Sequence, residues 1–175
     1  FVDIMSNTYG QAVRAGGGWS IETRDAGREV GVAIPRERGG LVLAAHEGFV
    51  LLDADGNEER TVVLPDGLDV RLNDAKADPV GRVWGGTLHR QFQPGAGALY
   101  RLDPDLTLHR MLDGIDLSNG LGWSPDGRTF YFVDSPTRRV DAFDYDVDTG
   151  EIANRRTFAE VPSGEPGFFD GMCVD

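Results

Sequence analysis

Asn73, Asn119 and Asp170 are the residues of this chain whose types and spacing could do chemistry. Each opens a similar stretch: "NDAKADPVGRVWGGT" from Asn73, "NGLGWSPDGRTFYFVDS" from Asn119 and "DGMCVD" from Asp170. Asn73 precedes Gly81 by eight residues and Asn119 precedes Gly127 by eight. Both glycines are followed by an arginine, Arg82 or Arg128, and then by an apolar run. Two amides and a carboxylate aimed at one point would make a sparse oxygen-ligand set. Oxygen donors suit hard cations such as Ca²⁺ or Mg²⁺, and Zn²⁺ also accepts carboxylates. Asn–Gly and Asp–Gly before a strand are equally ordinary turn chemistry. Spacing alone leaves both readings open.

Which reading holds depends on the elements that carry these residues. A fainter copy, "VAIPRERGGLVLAAHEG" (32–48), has Gly40 in the glycine role and Val32 at the asparagine offset. Successive glycines are 41 and 46 residues apart, and Asn119 to Asp170 is 51. Each copy is followed by a second hairpin pattern: 49–64, 98–112 and 140–158. Turn residues such as Asp55–Gly56 and Asp148–Thr149–Gly150 interrupt apolar or alternating runs, as hairpins require. The unit is therefore four short strands in about 40–50 residues, the length of a β-propeller blade. A β-sandwich would explain the strands but not the repeat. In a propeller the innermost strands surround a central channel, so Asn73, Asn119 and Asp170 are expected to converge at its mouth.

Composition agrees with an all-β chain and narrows the partners. Of 175 residues, 24 are glycine and 40% are hydrophobic, so turns are frequent and a core is affordable. The net charge of −12 lacks the basic footprint that nucleic acid or an anionic membrane would need. No apolar run is long enough for a transmembrane helix. The single cysteine, Cys173, excludes an internal disulfide and suits a reducing compartment, so a cytoplasmic location is expected. Other motifs dissolve on inspection. "DYDVDTGEIANR" (144–155) resembles a calcium-binding EF-hand loop, but Gly150 is one place late and Arg155 stands at the bidentate acid position. A charged hairpin turn is expected there. Gly16–Gly17–Gly18 lacks the lysine of a phosphate loop. His46, His89 and His109 are scattered and read as structural, and Arg138–Arg139 and Arg155–Arg156 read as solvated faces.

The segments "RLNDAKADPVGRVWGGT", "ALYRLDPD", "LSNGLGWSPDGRTFYFVDS", "VDAFDYDVDTGEIANRR" and "DGMCVD" together resemble the gluconolactonase/SMP-30 (regucalcin-like) family. "FVDI" at the start is similar to the family's early strand, and the likeness is weakest over residues 8–31. The resemblance implies a six-bladed β-propeller with one divalent cation (Ca, Zn, Mg or Mn) on its axis. It makes Asn119 and Asp170 metal ligands, with Asp170 also the catalytic general base. A third ligand, a Glu, lies in the family ahead of "FVDI" and has no counterpart in residues 1–175. The resemblance makes Arg71 and Asn73 the substrate-binding pair. A further acidic contact expected after "GGT" is replaced by Leu88–His89–Arg90–Gln91, which points to altered specificity. The implied reaction is hydrolysis of a sugar lactone. A non-catalytic calcium-binding propeller, or a different ester or phosphotriester hydrolase, shares the same fold. Neither oligomeric state nor the particular lactone is legible.

Six blades of roughly 45 residues need about 270 residues. Residues 1–175 are thus expected to form one incomplete propeller domain of about four blades, lacking the N-terminal edge, any signal peptide there and the last blades. A propeller opened this far exposes strand edges. The isolated 175-residue polypeptide is expected to aggregate and to show no lactone turnover; a single cooperative thermal melt with turnover would contradict this.

Overall fold

The structure is a computed structural model and describes residues 1–65 and 69–175. All regular structure among these residues is β, apart from one 3₁₀ turn at Ser135–Thr137. The chain divides into two compact units, Phe1–Gly67 and Leu68–Asp175.

In the first unit, β1 (Val2–Asp3), β2 (Thr8–Ala15) and β3 (Gly18–Asp25) form a three-stranded antiparallel sheet. Residues 8–31, where the family likeness is weakest, thus supply two full strands. Next, β4 (Val30–Pro35), β5 (Leu41–Ala45), β6 (Gly48–Leu52) and β7 (Glu58–Val63) form a four-stranded sheet in sequence order. Tyr9, Val30, Leu43, Ala45, Val50 and Leu52 make this unit's core.

The second unit holds two more four-stranded sheets. One runs β8 (Val70–Ala77), β9 (Val83–His89), β10 (Gly97–Leu102), β11 (Leu108–Ile115). The other runs β12 (Ser118–Trp123), β13 (Thr129–Asp134), β14 (Arg139–Tyr145), β15 (Ile152–Glu160). Each repeat inferred from the sequence is therefore one antiparallel sheet of sequential hairpins. Strands β9, β10 and β12 are buried along their whole lengths. Trp84 of one sheet packs on Phe130 (5.0 Å between ring centroids) and edge-on to Trp123 (5.9 Å) of the other. Leu99, Ile115, Leu121, Phe132 and Phe143 complete this core.

A buried carboxylate closes the junction between these two sheets. Asp78, in the "DPVGR" turn, is 6% exposed. Its Oδ1 accepts the backbone N–H groups of Val80 (3.0 Å) and Arg82 (2.9 Å). Its Oδ2 accepts from Arg82 Nη1 (3.2 Å), Trp84 Nε1 (3.3 Å) and the Tyr145 hydroxyl (2.6 Å). Burial and the Asp78 charge hold the Tyr145 phenol well above its ordinary pKa, so it remains a donor. Arg82 then reaches the carbonyls of Val147 (2.9 Å) and Asp148 (2.7 Å), and Arg101 reaches that of Gly150 (2.5 Å). The turn that resembles an EF-hand is thus a hairpin turn. Asp146 Oδ1 accepts the N–H groups of Asp148 and Thr149, and the turn's carbonyls hold two arginines. Gly150 sits at φ +71°, and a Cβ there would come within 2.6 Å of Arg101 Nη1.

Two sequence readings change. Arg139 and Arg155 are not simply a solvated face: both bind Asp141, which is 2% exposed, at 2.8 Å and 2.5 Å. A carboxylate buried there requires such partners. The "DGMCVD" stretch, read as the opening of another repeat, has no ladder partner among the described residues, and 161–175 carry no strand.

Replacing Asp78 by Ala would strand the Arg82 charge in the junction. In the intact protein Asp78→Ala is expected to cost about 3–5 kcal/mol, the usual penalty for breaking a buried pair; urea unfolding measures it.

Candidate metal and substrate site

The strands that carry the chemistry-bearing residues share one irregularity. In the β8–β9 ladder, Leu72 pairs with Thr87 and Asp74 with Gly86, which leaves Asn73 unpaired in a bulge. In β12–β13, Ser118 pairs with Asp134 and Leu121 with Phe132, so Asn119 and Gly120 lie in a second shift. A bulge re-aims the side chain it carries. In the first unit the equivalent bulge lies between Val30 and Val32. Its extra residue is Gly31, not Val32, and it offers no polar side chain.

Asn73 and Asn119, 46 residues apart, meet directly. Asn73 Nδ2 donates to Asn119 Oδ1 (2.9 Å) and to the Ser118 carbonyl (2.8 Å). Arg71 Nη1 donates to Asn73 Oδ1 at 2.8 Å. Asn119, 8% exposed, donates through Nδ2 to Ser135 Oγ (2.7 Å), and Ser135 Oγ donates to the Phe169 carbonyl (2.7 Å). The Asp170 segment runs beside β12: Gly120 N–H donates to the Asp170 carbonyl at 3.2 Å. Lys76 Nζ on β8 holds the Met172 carbonyl at 2.9 Å. A Cβ on Gly120 would lie 2.5 Å from Met172 Cγ and 2.8 Å from the Asp170 carbonyl oxygen. The glycine after Asn119 is therefore what lets this segment approach β12. The Asp170 carboxylate is exposed, and one of its oxygens accepts the Gly171 N–H at 3.0 Å.

All four residues singled out from the sequence thus lie in one hydrogen-bonded neighbourhood. Three others join them that sequence reasoning left aside. Asp74, half-buried beside Lys76, feels the Asp170 charge; burial first, then Asp170, pushes its carboxyl pKa up, while the Ala75 N–H and Lys76 pull it down. Ser135 ends the quoted "TFYFVDS" run, and Ser118 precedes Asn119; both are fully buried hydroxyls. Position beside a candidate residue was the only signal for Asp74 and Ser118, and Ser135 carried none. After "GGT", Leu88 is buried and bridges Leu117, His89 Nδ1 accepts the Gln91 N–H, and Arg90 pairs with Asp69. No acid from this stretch faces the site.

Asn119 Oδ1 accepts one hydrogen bond and keeps a second lone pair, and Asp170 keeps an oxygen free of its own backbone. A carboxylate and an amide oxygen are hard donors and fit a divalent cation such as Ca²⁺. Among the described residues no group of three His, Cys, Asp or Glu side chains is gathered.

Residues 1–175 match the family described as "SMP-30/Gluconolactonase/LRE-like region". Regucalcin of Danio rerio is 40% identical over 166 residues, which cover 89% of this chain and 53% of that protein. A solved luciferin-regenerating enzyme superposes with a TM-score of 0.90 at 31% identity, over 100% of this chain and 61% of that one. A gluconolactonase from Xanthomonas campestris gives 0.71 at 28% identity, over 91% of this chain and 57% of its own. The chain spans about half the length of the curated regucalcin it matches.

The close packing of β12 on β9 yields a direct test. A Cβ on Gly86 would fall 1.9 Å from Ser118 Oγ and 2.4 Å from its Cβ. Gly86→Ala is expected to destabilise by about 1–3 kcal/mol, as overpacking does. Because Ser118 Oγ has no hydrogen-bond partner among the described residues, Gly86→Ala/Ser118→Gly should recover most of that loss in urea unfolding.

Proposed function

The chain belongs to the SMP-30/gluconolactonase/LRE-like family, and from that premise we propose that it forms part of a six-bladed β-propeller that hydrolyses a sugar lactone with the help of one divalent cation. The observation that carries the reading is the direct contact of the substrate pair with the ligand pair. Asn73 bonds Asn119 at 2.9 Å, and the Asp170 backbone lies against Gly120.

Asn119 Oδ1 and the Asp170 carboxylate would hold the cation. When bound, a divalent cation of this kind polarises a carbonyl and acidifies water. Arg71 and Asn73 bind oxygens of the sugar lactone and orient its ester for attack, which converts binding energy into a favourable approach. Asp170, whose carboxylate is exposed, takes the proton of the attacking water. As the carbonyl carbon gains the hydroxyl, the ring C–O bond breaks, and Asp170 returns the proton to the departing alkoxide. Asn119 is neutral, so it lends oxygen without cancelling cation charge.

A second reading has its own support. The stretch Leu88–His89–Arg90–Gln91 presents no acid to the site, and the relative from Danio rerio bears the name regucalcin. A calcium-binding protein without turnover would keep Asn119 and Asp170 and would not need Arg71.

Assay of the intact protein against aldonolactones separates the two. Turnover that chelator abolishes and added cation restores is expected. Asp170→Ala should lower kcat about 10²–10⁴-fold, the range for a lost general base. Arg71→Ala should raise KM, by about tenfold for a lost interaction of about 1.4 kcal/mol. Cation binding with no turnover of any aldonolactone would favour the second reading.

A further inference from the structure

The hydrogen bonds around Asn119 run in one direction, and both ends of the run are chemically forced. Arg71 can only donate, so Asn73 presents Oδ1 to it and turns Nδ2 towards Ser118 and Asn119. At the other end the Phe169 carbonyl can only accept. Ser135 therefore spends its single proton there, at 2.7 Å. With no proton left, Ser135 Oγ must accept from Asn119, so the amide atom 2.7 Å away is Nδ2. Asn119 Oδ1 must then face Asn73 Nδ2. The polarity is Arg71 to Asn73 to Asn119 to Ser135 to Phe169, with no alternative arrangement of the protons. Ser135 is 2% exposed, so water cannot substitute for its oxygen.

An asparagine ligand has two faces, and only the oxygen binds a cation. We propose that Ser135 is the positioning residue of this site: its hydroxyl, polarised by the Phe169 carbonyl, locks the Asn119 amide with its oxygen towards the cation. The proposal rests on the reading of Asn119 and Asp170 as ligands. Groups that orient a ligand from behind typically affect metal affinity by about 10–100-fold.

Calorimetric titration of the intact protein with Ca²⁺ tests it. Ser135→Ala should weaken binding by about 10–100-fold. Asn119→Asp supplies the control, because a carboxylate has two equivalent oxygens and needs no orientation. In that background Ser135→Ala should cost nothing. An equal penalty in both backgrounds, or none in either, overturns the proposal. Wild-type affinity in Asp170→Ala instead overturns the cation site itself, and the role of Ser135 with it. Should Ser135→Ala not fold, NMR of the wild type decides. On adding Ca²⁺ the Asn119 side-chain carbonyl ¹³C should shift while its NH₂ protons stay protected from exchange. Loss of that protection on Ca²⁺ addition overturns the lock.

Discussion

The second unit is organised around a charge that has to be neutralised where it lies. Asp78 is buried at the end of β8, and a carboxylate in that position is tolerable only if its lone pairs are filled. Two backbone amides, a guanidinium, an indole and a phenol fill them. Three of those groups belong to the turn, the indole to β9, and the phenol to the next sheet, through Tyr145. The partner, Arg82, donates through Nη2 to the Val147 and Asp148 carbonyls in the turn between β14 and β15 of that next sheet. The pair therefore fixes where one sheet lies on the other. Replacing the network with apolar side chains of similar volume need not lose stability. It would lose the directionality that aligns β12 beside β8.

That alignment matters because the site is made at the other end of the same strands. Asn73 lies five residues back along β8, about 16 Å at the rise of a strand. Two bulges turn Asn73 and Asn119 out of their ladders, and the sheet junction brings them to 2.9 Å. The same approach carries the Asp170 segment, whose backbone rests on Gly120 and on Lys76. A small translation between the sheets would separate all of these at once. The aromatic packing of Trp84 on Phe130 and Trp123 resists such a slip through dense contact. The polar junction sets its register.

Repetition is why so much of this was legible. Residues eight apart from a Gly–Arg pair recur, and an equal offset in equal units means an equal place in space. Asn73 and Asn119 were found by that reasoning, and Asp170 by the likeness of "DGMCVD" to the stretches that open at the two asparagines. It failed where the repeat carries no letter. Val32 keeps the offset, but the ladder moves the bulge to Gly31. The arginines at 139 and 155 looked like surface because pattern shows polarity and not partners. Asp141 between them is buried, and only its neighbours reveal why.

Sequence alone determined the kind of strands, their hairpin order, the repeat and the oxygen-bearing residues at its inner edge. These are local properties: side-chain type, turn chemistry and spacing along one chain. Tertiary structure decided which of those residues touch. Ser135 joined the site because β13 ends where Asn119 and Phe169 pass, a meeting of two paired strands with a segment 34 residues further on. The direction of the hydrogen-bond run is likewise absent from any single motif. It follows from an arginine that cannot accept and a carbonyl that cannot donate, placed at opposite ends by the packing of two sheets.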